Sequence, residues 1–287
     1  MDTKGDVIGG YRLRNPIQTG QISQVFEVVE LSSSRHFAMK ILLPEAAEKP
    51  EHRQNLFYEA EVGLQLTHDH IIRIVKVAER KERVPYFVME YFPAGSLRAR
   101  MMKKEHDFIK EKLPSILRQS SMAFAYMHAK GWLHRDIKPD NMLVNALGEL
   151  RVIDFAIAQR ISTGFLTRLF HRKSTPQGTR SYMSPEQIRG ELLDARSDIY
   201  SFGATVYELV TGRPPFRGKD QQDLLRKHFT EKPIPPKDLV NDVTDEFNAL
   251  ILSCLEKLKE NRPPHFHDIL IKIKNMRLFK SQPRLKD

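Results

Sequence analysis

The residues best able to do chemistry in this chain are gathered in His134-Arg135-Asp136-Ile137-Lys138-Pro139-Asp140-Asn141, followed thirteen residues after Asn141 by Asp154-Phe155. Asn141 and Asp154 offer hard oxygen ligands of the kind Mg²⁺ takes, because that ion binds few protein groups and completes its shell with phosphate oxygens and water. To act together, Asp136, Asn141 and Asp154 must converge, and two short strands between Asn141 and Asp154 would fold them onto one wall. A lone His-Arg-Asp triplet reads as a polar turn between a helix and a strand. The eight-residue run with Asp154 behind it asks for more than that.

The elements that must position these groups lie on both sides. Upstream, Phe37-Ala38-Met39-Lys40 reads as a β-strand that ends in a cation. Glu59 follows nineteen residues later, and Glu59, Val62, Gly63 and Leu66 share one helical face, so Glu59 can turn inward toward Lys40 and hold it by an ion pair. Tyr86 to Phe92 reads as a strand running into Pro93-Ala94-Gly95-Ser96-Leu97. Downstream, apolar residues at helical spacing mark three amphipathic helices: Leu113, Ile116, Leu117, Phe124 and Met127; Ile199, Phe202, Val206, Leu209 and Val210; Phe266, Ile269, Leu270 and Ile273. Breaks at Gly212-Arg213-Pro214-Pro215 and Pro233-Ile234-Pro235-Pro236 separate them.

Taken in order from residue 17 to 262, these motifs resemble the Hanks-type serine/threonine protein kinases, and the wording of Gly178-Thr179-Arg180-Ser181-Tyr182-Met183-Ser184-Pro185-Glu186 is nearest to the bacterial members. The resemblance implies an α+β, bilobal protein kinase fold: a small strand-rich N-lobe with one αC-like helix and a larger, mainly helical C-lobe. It divides the chain into a leader at 1–10, a kinase domain at 11–275 and a basic tail at 276–287. Within the domain the N-lobe covers 11–91, the hinge 90–95 and the C-lobe 96–275. The cofactors it implies are ATP and Mg²⁺, and the substrate it implies is a protein with a Ser or Thr acceptor.

In such an enzyme Asp136 orients the acceptor hydroxyl and accepts its proton, while Lys138 balances charge on the γ-phosphoryl group. Asn141 completes the catalytic set and holds metal with Asp154. Lys40 reaches the α- and β-phosphates and Glu59 fixes it. Adenine lies against Ile17, Val25 and Ala38, Met89 limits the depth of its pocket, its hydrogen bonds go to backbone near Glu90 and Phe92, and Gly20 lets the backbone approach the phosphates. Glu186 pairs with Arg262, and Asp198 braces the catalytic loop from a central helix. Ser162, Thr163, Thr167, Ser174 and Thr175 are candidate phosphorylation sites, with Arg135 and Arg172 or Lys173 to clamp a phosphate, and self-association for trans-autophosphorylation is compatible with this scheme.

Three departures stand against the family pattern. Ile17-Gln18-Thr19-Gly20-Gln21-Ile22-Ser23-Gln24-Val25 keeps only the middle glycine of three, with Gln18 and Ser23 in the outer places. Asp154-Phe155-Ala156 has Ala where the family has Gly, which would strain the chain by about 1 kcal/mol if that residue needs a positive φ. Gly63 stands where these kinases carry a large apolar side chain that stacks on Phe155 and then on His134. A gap is expected there, filled in a resting state by an apolar helix of Phe165, Leu166, Leu169 and Phe170, so that Gly63→Leu would raise basal activity. The departures leave a nucleotide-binding, pseudokinase-like scaffold with little activity as the alternative.

Composition fits this picture. A chain of 287 residues with 40% hydrophobic content can build two lobes. No run approaches the ~18 apolar residues of a membrane span and the first ten residues hold no apolar signal, so a cytoplasmic protein is expected. Half of the net charge of +10 lies in the last sixteen residues, and Arg160, Arg168, Arg172, Lys173 and Arg180 form a second concentration. Charge on a tail and a loop reads as solvated surface, so a nucleic acid or anionic surface is expected to meet the tail at most. The single cysteine, Cys254, falls on an apolar stripe with Phe247, Leu250, Ile251 and Leu255 and reads as core.

Overall fold

The computed structural model describes residues 6–161 and 177–282. They form two compact units, one of residues 6–94 with Ile153–Ala156, the other of Gly95–Val152 with residues 157–161 and 177–282. The expected phosphorylation sites and the apolar Phe165–Phe170 segment lie outside the described residues.

The first unit is a six-stranded antiparallel sheet built from β1 (Val7–Ile8), β2 (Tyr11–Thr19), β3 (Ser23–Glu30), β4 (His36–Leu42), β5 (Ile74–Val77) and β6 (Tyr86–Glu90), in the order β1-β2-β3-β4-β6-β5. Alternate residues of β6 serve two apolar clusters: Tyr86 and Val88 join Tyr11, Leu13, Val28, Phe37 and Met39, while Phe87 joins Leu42, Leu56, Ala60 and Ile74. Two buried faces explain why β4 is apolar almost throughout rather than every second residue. The short α1 (Pro44–Ala47) leads into α2 (Pro50–Leu64), which starts with Pro50 and an acidic Glu51 in its first turn, both suited to a helix N-terminus. Leu56, Phe57, Ala60 and Val62 bury its inner face, and Glu59 and Gly63 lie on that face with them. Residues 7–8, expected in a leader, pair with β2 and so belong to the sheet.

The second unit carries two small sheets. One holds β7 (Gly95–Ser96), β9 (Met142–Val144) and β10 (Leu150–Val152); the other pairs β8 (Trp132–Leu133) with β11 (Gln159–Arg160). Its helices among the described residues are α3 (Leu97–Met102), α4 (His106–Ala129), α5 (Pro185–Ile188), α6 (Ala195–Thr211), α7 (Gln221–Thr230), α8 (Pro236–Leu239), α9 (Asp245–Cys254) and α10 (Phe266–Lys274). The three predicted amphipathic helices are α4, α6 and α10. Their rings meet at Phe266, 5.2 Å from Phe124 and 5.3 Å from Phe202 between ring centroids. α6 is buried along most of its length; Asp194 caps its start and Gly212, at φ 73°, ends it in a left-handed turn.

Cys254 is buried as expected, and burial pushes its thiol up to about 12. It lies where α9 approaches α6 at Gly203, whose missing Cβ would fall 2.5 Å from the Cβ of Cys254. The tail expected from residue 276 is packed as far as residue 282 rather than solvated. Leu278 and Phe279 are buried, Thr244 N–H donates to the Leu278 carbonyl at 3.1 Å, and Lys280 N–H donates to that of Asp242 at 2.7 Å. Charge counting hid this, because the two apolar residues anchor a segment whose other side chains are polar.

Candidate active site

In the first unit, strand pairing sets a row of residues: Val25 on β3 faces Lys40 on β4, and Lys40 faces Phe87 on β6. The Lys40 ammonium lies 5.9 Å from the Phe87 ring centroid and donates to both carboxylate oxygens of Glu59, at 2.8 and 2.6 Å. The expected ion pair is therefore formed. Burial alone would lower the pKa of Lys40, but the carboxylates of Glu59 and Asp154 outweigh it and the pKa is raised. Burial pushes Glu59 up to about 7, and Asp154 adds to the rise while Lys40 opposes it. Three charges thus share one buried neighbourhood.

Asp154 is one of the few described residues other than glycine with a positive φ, at 70°, and its Oδ1 accepts the N–H of Ala156 at 3.2 Å. Ala156 has no positive φ, so the strain expected from replacing Gly at that position is absent; the left-handed turn is taken one step earlier, by an Asp. The other nucleotide candidates also belong to this unit. Ala38 is buried on β4 opposite Met89, and Glu90 ends β6, its carboxylate accepting the Arg73 N–H at 3.1 Å. The Phe92 carbonyl accepts from Ala94 N–H at 2.8 Å. Ile17 is half exposed on β2, and Gly20 opens the turn to β3, where its N–H donates to the Ser23 carbonyl at 2.9 Å. A Cβ at Gly20 would meet that same carbonyl at 3.2 Å, so this turn favours the one glycine that the segment keeps.

No gap lies at Gly63. A Cβ there would fall 2.4 Å from Ile74 Cγ1 and 3.3 Å from Phe155 Cδ2. The space that the sequence reading left empty is occupied by Ile74 from β5, and Phe155 is buried against the same point. The premise behind a gain of activity in Gly63→Leu is therefore overturned.

In the second unit the loop after β8 carries Asp136, Lys138 and Asn141. Asp136 Oδ1 accepts the Thr179 N–H at 3.0 Å; its Oδ2 accepts from Lys138 Nζ at 2.6 Å and from Asn141 Nδ2 at 3.1 Å. Burial alone would raise the Asp136 pKa, but Lys138, with His134 and the Thr179 N–H, holds it below the usual carboxylate range. Lys138 also donates to Thr179 Oγ1 at 2.7 Å. Asn141 Nδ2 donates a second bond to the Asp136 carbonyl at 2.9 Å, which fixes the amide so that its oxygen is the atom offered as an acceptor. That oxygen suits Mg²⁺. Among the described residues no group of three or more His, Cys, Asp or Glu could cage a metal, and an ion that takes one or two protein oxygens plus phosphate needs none.

The loop is held from behind by Asp198 of α6, whose carboxylate accepts the N–H groups of His134 and Arg135 at 2.8 Å each and His128 Nε2 at 2.8 Å. Burial would raise Asp198, but these donors keep its pKa low. Arg135, at φ 69°, makes the turn that lets both amides point one way. Glu186 and Arg262 form a bidentate pair at 2.7 and 3.0 Å, with side chains 4% and 0% exposed. Both were expected from sequence.

Thr179 and Gln187 were not singled out for a role. Gln187 Nε2 donates to the carbonyls of Arg135 at 2.9 Å and Gln177 at 2.7 Å, joining the loop to the segment that carries Thr179. Arg98 was also missed: it bonds Glu208 at 2.9 Å, Asp140 at 3.3 Å and the Tyr182 hydroxyl. Thr179 stands beside Gly178 in a motif already recognised, so its position was a usable signal; Gln187 and Arg98 gave none.

The family described as "Protein kinase domain" matches residues 11–272. Among curated proteins, the chain is 34% identical over 259 residues to one of Corynebacterium glutamicum named as a probable serine/threonine-protein kinase PknB, covering 88% of this chain and 40% of that protein. It is 31% identical over 265 residues to the serine/threonine-protein kinase PknB of Mycobacterium leprae and 32% over 266 to that of Mycolicibacterium smegmatis, in each case covering 91% of this chain and 42% of the relative. The chain thus spans about two fifths of the length of these relatives.

Proposed function

The chain belongs to the protein kinase domain family, and from that premise we propose that it transfers the γ-phosphoryl group of ATP to Ser or Thr hydroxyls of protein substrates, itself included when two copies meet. The names of the relatives support the Ser/Thr assignment. The observation that carries the reading is the pair of bonds from Lys138 Nζ, to Asp136 Oδ2 at 2.6 Å and Thr179 Oγ1 at 2.7 Å. It sets a cation beside the one carboxylate best suited to receive a hydroxyl.

Asp136 orients the acceptor hydroxyl. Its low pKa makes it a weak base, which suits a transfer whose transition state is largely dissociative and asks for proton removal late. Lys138 offsets negative charge on the moving group. Lys40, held by Glu59, is the cation for the α- and β-phosphates. Asp154 and Asn141 are the residues we assign to Mg²⁺, which when bound neutralises phosphate charge. Ile17, Gly20, Val25, Ala38, Met89, Glu90 and Phe92 are assigned to the nucleotide. No helix among the described residues is long and apolar enough to cross a membrane. We assign the work to the cytoplasm, where ATP and Mg²⁺ are at hand.

Incubation with γ-labelled ATP, Mg²⁺ and a generic basic protein tests this. Label is expected on phosphoserine and phosphothreonine, absent from phosphotyrosine, and lost when the metal is chelated. No incorporation at any protein concentration would sink the reading.

A further inference from the structure

We propose that Gly63 and Ile74 form an interlock that positions Glu59, with the missing side chain of one making room for the side chain of the other. The proposal rests on the phosphotransfer reading for its activity readout, but its geometry stands within the first unit.

Gly63 lies one turn beyond Glu59, four residues on, so the two share a face of α2. An added Cβ at Gly63 would sit 2.4 Å from Ile74 Cγ1 and 3.3 Å from Phe155 Cδ2. Ile74 cannot step aside without disturbing its cluster, where Ala60 and Phe87 are almost fully buried. Phe87 in turn lies under the Lys40 ammonium and faces Lys40 in the strand register. On the other side Phe155 follows Asp154 directly and is itself buried. One bare position on the helix therefore meets the packing beneath Lys40 and the turn that carries Asp154.

The consequence is geometric. Restoring ordinary contact between a new Cβ and Ile74 needs α2 to lift by about 1 Å, and Glu59 lifts with it. Its bonds to Lys40, at 2.6 and 2.8 Å, would then pass beyond hydrogen-bond range. A misplacement of that size at a phosphate-binding cation lowers turnover by about 100-fold. Ile74 thus supplies from the strand the bulk that the helix lacks. Moving that bulk back should restore the arrangement, since Gly63→Leu with Ile74→Ala nearly conserves volume.

The test compares wild type with Gly63→Ala, Gly63→Leu, Ile74→Ala, the doubles Gly63→Leu/Ile74→Ala and Gly63→Ala/Ile74→Ala, and Asp136→Asn, each checked for cooperative melting. Gly63→Leu is expected to lose about 100-fold in kcat with the KM for the protein substrate unchanged, and the Leu/Ala double to recover to within about threefold of wild type. A Gly63→Leu enzyme as active as wild type overturns the proposal. So does a double that regains its melting temperature but not its turnover, because a purely structural role would do just that. If Gly63→Leu does not fold, the Gly63→Ala pair carries the same comparison with a smaller loss. If wild type is no more active than Asp136→Asn, the kinase reading fails by itself and the interlock is read by amide hydrogen exchange over residues 56–64. Faster exchange in Gly63→Ala, restored by Ile74→Ala, supports it, and exchange equal to wild type overturns it.

Discussion

Glu59 is a buried carboxylate and Asp136 a partly buried one, each hydrogen-bonded to a lysine, yet their pKa values move in opposite directions: Asp136 below its ordinary range, Glu59 up to about 7. The difference lies in what else each carboxylate meets. Asp136 receives a backbone N–H from Thr179 and an amide from Asn141 besides Lys138. Glu59 has Lys40 alone among the described residues and feels the repulsion of Asp154. In the helical unit the Asp136 carboxylate is wired into a network anchored on Asp198, so its position is fixed in advance. In the strand-rich unit the charge depends on where one helix sits, and that helix is set by packing at Gly63. A Lys40–Glu59 pair held this way can be tuned through the helix alone.

The largest effect should come from breaking the frame of the helical unit. Arg262→Met leaves Glu186 buried and unpaired, and is expected to lower stability by about 3–5 kcal/mol in urea unfolding, with both side chains almost fully buried. A loss below about 1 kcal/mol would erase the claimed contrast between a wired and a packed region.

Acid should loosen the same unit next. Burial, with Lys257 adding, holds His228 down to about 3, and its Nδ1 lies 2.9 Å from the Tyr200 hydroxyl. A histidine whose folded pKa is depressed binds its proton more readily in the unfolded chain. Stability is thus full above the unfolded value near 6.5 and falls as the pH drops toward 3, by about 2 kcal/mol at pH 5. His228→Gln should remove that slope; an equal slope in the variant would place its origin elsewhere.

The smallest effect concerns the strand-rich unit. Below about 7, Glu59 takes up a proton and no longer pairs with Lys40 as a charge. kcat/KM, which reports the free enzyme, should fall about tenfold from its plateau by pH 6, and Glu59→Gln should show a low rate without that limb. An identical limb in both proteins would assign the titration to another group.

Much of this was legible in the chain. The loop of Asp136, Lys138 and Asn141, the Lys40–Glu59 pair, the Glu186–Arg262 bridge and Asp198 all rest on local motifs in a fixed order, and three helices announced themselves by apolar spacing. What escaped notice was non-local. Gly63 reads as a cavity because nothing in its own helix says that Ile74, eleven residues on and in a strand, fills the space. Ala156 reads as strained because the sequence does not say that Asp154 takes the left-handed turn. Leu278 and Phe279 vanish inside a basic run, although their burial decides where the segment goes.

The account turns on Asp136, and the most direct measurement is phosphate incorporation from labelled ATP and Mg²⁺ by wild type and by Asp136→Asn at matched melting temperature. Asn keeps the shape and loses the charge that Lys138 meets. The account predicts transfer by wild type and a loss of about 1,000-fold or more in the variant, in line with removing both the base and its orienting charge. Equal incorporation by the two proteins would contradict it.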